Sequence, residues 1–233
     1  MKKADVLIIG AGAAGMMCAA RIAEQGLTVR LIDHAEKLAE KIRISGGGRC
    51  NFTNIGATWE NYVSKNPRFA RYALSNYTPQ DFLQLVEKHH IAWHEKHRGQ
   101  LFCDESSQEI IQLLYRECQR AKVIWHMPCH VQSVDKIGDL FTLQTSEGAL
   151  QAPHLVVATG GMAAPAIGAT DFGLSIARQF GHKIVEPRPA LVPLVFDGIL
   201  WEPYKELAGI SLEARIADGV GKKAQFFIED ILF

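Results

Sequence analysis

The chain has 233 residues, with 25 Lys and Arg balanced by 25 Asp and Glu, 48% hydrophobic residues, 21% charged residues and 20 glycines. This composition excludes a disordered or collagen-like chain, and the length allows between one and two domains. Neutrality speaks against a protein whose main work is to neutralise nucleic-acid phosphates, although it leaves room for a small local basic patch.

Lys2 and Lys3 precede an apolar run, but three glycines within six residues make a poor signal-peptide core. No stretch approaches the roughly 18 apolar residues of a membrane span. Five scattered cysteines (Cys18, Cys50, Cys103, Cys118 and Cys129) form no C-x-x-C pair, which points to a reducing cytoplasm and away from a disulfide framework or zinc site.

Asp5 to Ile9 reads as a buried strand, followed by a glycine turn, an Ala-rich helix to about Gln25, a stop at Gly26 and a second strand from Thr28 to Ile32. Gly10-Ala11-Gly12-Ala13-Ala14-Gly15 is therefore a G-x-G-x-x-G placed between a strand and a helix. Gly10 permits a tight turn, Gly12 lets a pyrophosphate approach the backbone, and Gly15 lets helix and strand pack closely. The helix start at Ala13 and Ala14 offers free N–H groups and a partial positive charge. Asp33, with His34 beside it, ends the second strand where a carboxylate accepts ribose hydroxyls and repels a 2′-phosphate.

Ser45-Gly46-Gly47-Gly48-Arg49-Cys50-Asn51 is too glycine-rich for helix or strand and reads as a loop. A helical excursion over about 59–122 follows, with helix starts at Thr78/Asp81 and Ser106/Glu109 and a short hairpin between Ile91 and Phe102. Phe69, Tyr72 and Tyr77 read as a helical core face. His90 and His94 are four apart, but the apolar spacing breaks at Ile91, so an extended segment is preferred over a metal site.

Beyond Val123 the alternation predicts a β-meander: Val131 to Val134, Leu140 to Thr145, then Leu155 to Ala158 running into Thr159-Gly160-Gly161. A helix from Phe172 to Phe180 is stopped by Gly181. The expected division is a cofactor domain at 1–190 and the incomplete beginning of an inserted β-rich domain at 191–233, with a β-like stretch from Ala224 to Ile228.

Thr145-x-x-Gly148, Ala152 and Leu155 to Gly161 resemble the second signature of the flavoproteins with two dinucleotide-binding domains, which favours FAD over NAD. The Ser45 to Asn51 loop, with Thr53-Asn54 after it, resembles the hallmark of the BaiN/RdsA (YhiN-like) family of FAD-dependent oxidoreductases. Lys41, Pro165, Gly168, Thr170, Gly173, Gly181-His182 and Pro189-Ala-Leu-Val-Pro-Leu194 agree with it. The resemblance implies an α/β, glutathione-reductase-like, Rossmann-type FAD domain with a β-meander crossover.

It also implies hydride transfer from NADH, NADPH or an organic donor through flavin to an unidentified substrate. Ser45, Gly46, Gly47, Gly48, Arg49, Cys50 and Asn51 are then cofactor-lining. Lys41, Val131, Ala158, Thr159, Gly160 and Gly161 complete the candidate set, and no catalytic acid stands out. The expected partner is a small molecule, with neither nucleic acid nor membrane. A fumarate-reductase-like flavoenzyme and a non-catalytic flavin-binding module are the alternatives. Asp33 stands where the family has glutamate, and Gly168-Ala-Thr-Asp-Phe-Gly173 departs from a Gly-Ser-Thr-Gly-Asp-Gly-like turn. The resemblance further implies that the family continues beyond Phe233 into a segment closing the flavin site.

Overall fold

A computed structural model describes residues 2–189, 198–218 and 225–232. The chain divides into two units, 1–184 and 185–233. The expected boundary after residue 190 and the 190–194 part of the Pro189–Leu194 stretch lie outside the described residues, as does Ala224.

In the first unit β1 (Lys2–Lys3) precedes β2 (Val6–Ile9), α1 (Ala13–Ala23) and β3 (Val29–Ile32). Next come α2 (Glu40–Ile44), β4 (Asn51–Asn54), α3 (Arg71–Asn76), α4 (Pro79–Lys88) and the hairpin β5 (Trp93–His97) and β6 (Gln100–Cys103). Then α5 (Gln108–Arg120) leads to β7 (Ile124–His126), β8 (Val131–Ile137), β9 (Leu140–Thr145), β10 (Gly148–Ala152), β11 (His154–Val157) and α6 (Phe172–Gln179). The second unit contains α7 (Gly198–Trp201) and an antiparallel hairpin, β12 (Ser211–Asp218) with β13 (Gln225–Leu232).

The central sheet is parallel, in the order β11-β2-β3-β7, and the meander forms a second sheet, β1-β10-β9-β8. Alternation along β2 explains the layering. Val6 and Ile8 face one apolar cluster with Met16 and Ala19 of α1 and Ile111 and Leu114 of α5. Leu7 and Ile9 face the other, with Val134, Leu143 and Leu150 of the meander. A strand buried on both faces needs a continuous apolar run, which Val6-Leu-Ile-Ile9 supplies. Each such side chain contributes about 2 kcal/mol by leaving water.

Helix boundaries follow local chemistry. Thr78 and Asp81 form a reciprocal cap at the start of α4, the Asp81 carboxylate accepting the Thr78 N–H at 2.7 Å. The Thr78 hydroxyl, which donates to the same carboxylate at 2.6 Å, and then the backbone bond hold the Asp81 carboxyl below its ordinary range. At α5, Ser106 Oγ accepts the Gln108 N–H at 3.1 Å.

Two readings are corrected and one is extended. The Ser45–Asn51 segment is not wholly irregular: Ser45–Gly48 form a tight 3₁₀-type turn and Asn51 opens β4. Left-handed φ values at Gly46, Gly47 and Gly48 make that turn accessible only because they lack Cβ atoms. The hairpin expected between Ile91 and Phe102 is present as β5 and β6, but it does not stand alone: β4 joins it in a three-stranded sheet ordered β4-β6-β5. Finally, Phe69 and Tyr72 are about four-fifths exposed, with only Tyr77 half-buried, so they form no core face. Helical spacing predicted a stripe, but α3 is six residues long and buries none of its own residues.

Candidate functional site

Everything that converges does so at the C-terminal edge of the central sheet. Gly10 leaves β2 at φ +105°, and its N–H donates to the Ile32 carbonyl at 2.8 Å. A Cβ there would lie 2.4 Å from the Ala158 carbonyl oxygen, and one on Gly15 would lie 1.8 Å from that of Gly10. Packing of the protein itself therefore demands these two glycines. Gly12 differs: a Cβ there would meet nothing within 4 Å, so its bareness leaves open space over the start of α1. No side chain caps that helix and no acid occupies its first turn. Its amides are offered outward, as an anion site requires.

Asp33 ties the turn to the sheet. Its Oδ2 accepts the Ala11 N–H at 2.6 Å and its Oδ1 the Ala35 N–H at 2.9 Å, while His34 Nδ1 lies 3.7 Å from Oδ1. Each carboxylate oxygen keeps a further lone pair for a hydroxyl.

Three clefts run end to end across this edge. One of about 250 Å³ lies among Asp33, His34, His130, Val131, Thr170 and Phe172. A second, of about 290 Å³, covers the glycine turn and shares Gly10, Asp33, His34, Thr159 and Gly168 with the first. The third, of about 460 Å³, shares Ala13, Ala14, Lys41 and Ile42 with the second and continues between Ser45, Cys50, Asn51, Phe52 and Phe82. The result is one trough with the free helix N-terminus at its middle, polar at the Asp33 end and mostly apolar at the Phe82 end. An elongated dinucleotide fits the length and polarity gradient of this trough.

Of the predicted residues, Gly10, Gly12, Ala13, Ala14, Asp33, His34, Lys41, Ser45, Cys50, Asn51, Val131, Ala158, Thr159 and Gly160 line this trough. Gly15 packs behind it, and Gly161 contributes a carbonyl that accepts from Lys41 Nζ at 2.6 Å. Gly46, Gly47, Gly48 and Arg49 line none of the three clefts, and Arg49 is exposed.

Their turn is pinned from behind. Gly48 and Arg49 carbonyls accept the Ser107 and Cys103 N–H groups at 2.7 and 3.0 Å. A Cβ on Gly46 would strike the Asn51 nitrogen and the Phe102 ring, both at 2.7 Å. The turn thus works as a bracket that presents Ser45, Cys50 and Asn51. Burial pushes the Cys50 thiol up, away from the thiolate form that a nucleophile needs.

Sequence reasoning missed Met17, Phe52, Phe82, Ile110 and Leu114 as wall residues, and His130 and Phe172 at the other end. Phe52 and Phe82 read as ordinary core because the wall they share is set only when β4 pairs with β6, 46 or more residues further along the chain.

The family described as HI0933-like protein Rossmann domain matches residues 4–223. The chain is 43% identical over its whole length to the "Ribosomal RNA dihydrouridine synthase" of Escherichia coli strain K12, spanning 58% of that protein. It is 42% identical over 97% of its length to the protein of the same name from Haemophilus influenzae, spanning 57% of it. A "3-dehydro-bile acid delta(4,6)-reductase" of Clostridium scindens is 28% identical over 93% of the chain and 53% of that protein. The chain thus spans little more than half the length of the relatives it matches.

Proposed function

The chain belongs to the HI0933-like protein Rossmann domain family, and on that premise we propose that it is the FAD-holding part of an oxidoreductase that saturates carbonyl-conjugated carbon–carbon double bonds, with uridine of ribosomal RNA as substrate. The observation that carries the substrate is the 43% identity to a ribosomal RNA dihydrouridine synthase across all 233 residues. Dihydrouridine is uridine with two hydrogens added across C5–C6, a bond conjugated to the C4 carbonyl. The bile acid relative's name denotes reduction of double bonds at positions 4 and 6 of a 3-oxo steroid, which is the same class of reaction.

When bound, FAD supplies hydride chemistry, with a reduced nicotinamide as the external donor. The chain's own residues bind and orient. The α1 amides beside Gly12 would hold the pyrophosphate, Asp33 would accept ribose hydroxyls, and Lys41 would add a positive charge to the same trough. Ile42, Phe52, Phe82 and Leu114 wall the far end against water. Free, buried thiols suit a cytoplasmic setting, and among the described residues no helix is long and apolar enough to cross a membrane. The expectation of no nucleic-acid partner rested on neutrality of the whole chain and on the dispersal of Arg68, Arg71, Lys88, Lys96 and Arg98 along it, and net neutrality does not govern a local surface. A small carbonyl-conjugated alkene is the second reading, favoured by the 28% relative alone.

Purified protein is expected to be yellow and to release, on heating, a chromophore with the mass of FAD. Anaerobic NADH or NADPH should bleach it, and ribosomal RNA from cells lacking the gene should lose a dihydrouridine detectable by nucleoside mass analysis. A colourless protein that takes up no added FAD would sink the cofactor assignment. Unchanged dihydrouridine would sink the substrate.

A further inference from the structure

Residues 62–72, Tyr-Val-Ser-Lys-Asn-Pro-Arg-Phe-Ala-Arg-Tyr, are the most exposed apolar stretch of the first unit. Val63 is 98% exposed, Phe69 82%, Tyr72 81% and Tyr62 54%. Between Glu60 and Asp81 the chain carries no acidic residue, while Lys65, Arg68 and Arg71 fall inside this stretch. In a chain of zero net charge that is a marked local excess. Among the described residues none of these three cations has an ion-pair partner. Arg71 instead lies over the Trp59 ring, 5.7 Å from its centroid.

The stretch is shaped by its own turns. The Asn66 N–H donates to Ser64 Oγ at 3.0 Å, Phe69 N–H to the Asn66 carbonyl at 3.0 Å and Arg71 N–H to that of Arg68 at 3.1 Å. Arg68 and Phe69 sit in the turn that leads into α3, which Arg71 and Tyr72 open, so exposed rings and cations alternate along this short stretch. The stretch also begins eight residues after Asn54, the end of the strand whose Asn51 and Phe52 line the trough.

Exposed aromatic rings interleaved with unpaired cations are what unpaired nucleic acid recognises: bases stack on the rings and phosphates meet the cations. We propose that the 62–72 face docks an unpaired stretch of the RNA substrate, with phosphates on Lys65, Arg68 and Arg71 and bases on Tyr62, Phe69 and Tyr72. This rests on the ribosomal RNA reading above. Charge complementarity selects RNA over a second protein surface, and a six-residue helix is too short to lie as an amphipathic element on a membrane.

The test is binding of a fluorescein-labelled oligouridylate, followed by anisotropy at stepped salt. The unmodified protein should bind it. Each phosphate contact contributes about 0.7 to the slope of log K against log salt for single strands, so Lys65→Ala/Arg68→Ala/Arg71→Ala should flatten the slope by about 2. Phe69→Ser/Tyr72→Ser should weaken binding at least about thirtyfold with the slope unchanged.

Residues this exposed tolerate substitution, and unchanged FAD affinity in both variants verifies the fold. No binding by the unmodified protein, equal binding by all three, or binding of anionic phospholipid vesicles in place of RNA would overturn the proposal. The two readings separate cleanly. If gene deletion spares dihydrouridine while the variants lose oligouridylate, the docking face stands and the substrate falls. If deletion abolishes dihydrouridine and the triple variant restores it with full RNA affinity, the face falls and the substrate stands.

Discussion

Lys41 Nζ donates to the Gly161 carbonyl at 2.6 Å, across 120 residues of sequence. The contact joins α2, just before the glycine turn, to the loop that leaves β11, and it does so where two of the three clefts meet. A cation fixed there faces the same space as the uncapped start of α1. Helix dipole, open Gly12 and ammonium group thus add their positive potential at one point of the trough.

Lys41→Met keeps most of the side chain's length and removes the charge. The hydrogen bond is exposed, so folding stability should change by less than about 1 kcal/mol. A charge-assisted contact to phosphate contributes more, and FAD affinity should fall at least about tenfold. Titration by flavin fluorescence quenching measures the second quantity and urea unfolding the first. Full FAD affinity in the variant would remove Lys41 from the site.

The fingerprint glycines should separate by substitution. Gly15→Ala puts a methyl 1.8 Å from a backbone oxygen and 3.5 Å from Ala158 Cβ, a clash no rotamer relieves. A loss of about 3 kcal/mol, or a Tm lower by about 10 °C, is expected. Gly12→Ala meets open space at φ −79° and should leave Tm within about 1 °C, while the added methyl occupies the volume a pyrophosphate needs. Thermal melts with and without FAD check both. Equal Tm loss in the two variants would mean that Gly12 is structural.

These residues also show how far the sequence carried. Gly10, Gly12, Gly15 and Asp33 were legible because each sits within one β-α-β unit, where local spacing dictates geometry. The first two meander strands were legible because alternation repeats along them and glycines mark their turns; the third, Gly148–Ala152, was missed, and Leu155–Ala158, read with the meander, runs instead along β2 in the central sheet. Phe82 and Phe52 were not: their ring centroids lie 6.1 Å apart only because α4 packs on β4, a contact no local period encodes. Phe69 and Tyr72 were misread for the complementary reason. Helical spacing registers a stripe whether or not anything covers it, and here nothing among the described residues buries them.

His126 should prove structural and not catalytic. It is 4% exposed at the end of β7, with Nδ1 2.6 Å from Glu147 Oε2 and Nε2 2.9 Å from Arg30 Nη1. A guanidinium only donates, so Nε2 accepts and Nδ1 donates to Glu147, joining the central sheet to the turn between β9 and β10. His126→Phe should cost about 1–2 kcal/mol by stranding both partners. His126→Gln, which offers one acceptor and one donor, should recover part of it, and FAD affinity should be unchanged in both. Lost FAD affinity at native stability would contradict this role.

Cys103 and Cys118 give the protein an alkaline limit. Both are fully buried, and burial pushes each thiol from its ordinary 9.0 to about 12. Cys118 Sγ also donates to the Met16 carbonyl at 3.2 Å, a bond that requires the proton. In the unfolded chain these thiols ionise above pH 9 while the folded chain keeps them protonated, so the unfolded state binds fewer protons. Stability is therefore fully present below pH 9 and falls as pH rises towards 12, at about 1.4 kcal/mol per pH unit for each thiol. Lysines and tyrosines titrate in the same window, so the informative quantity is the difference from Cys118→Ala. Urea unfolding between pH 8 and 10.5 should give the variant a shallower decline by about 1 kcal/mol per unit above pH 9. Parallel declines would show that Cys118 ionises without penalty and that the α1–α5 seam admits water.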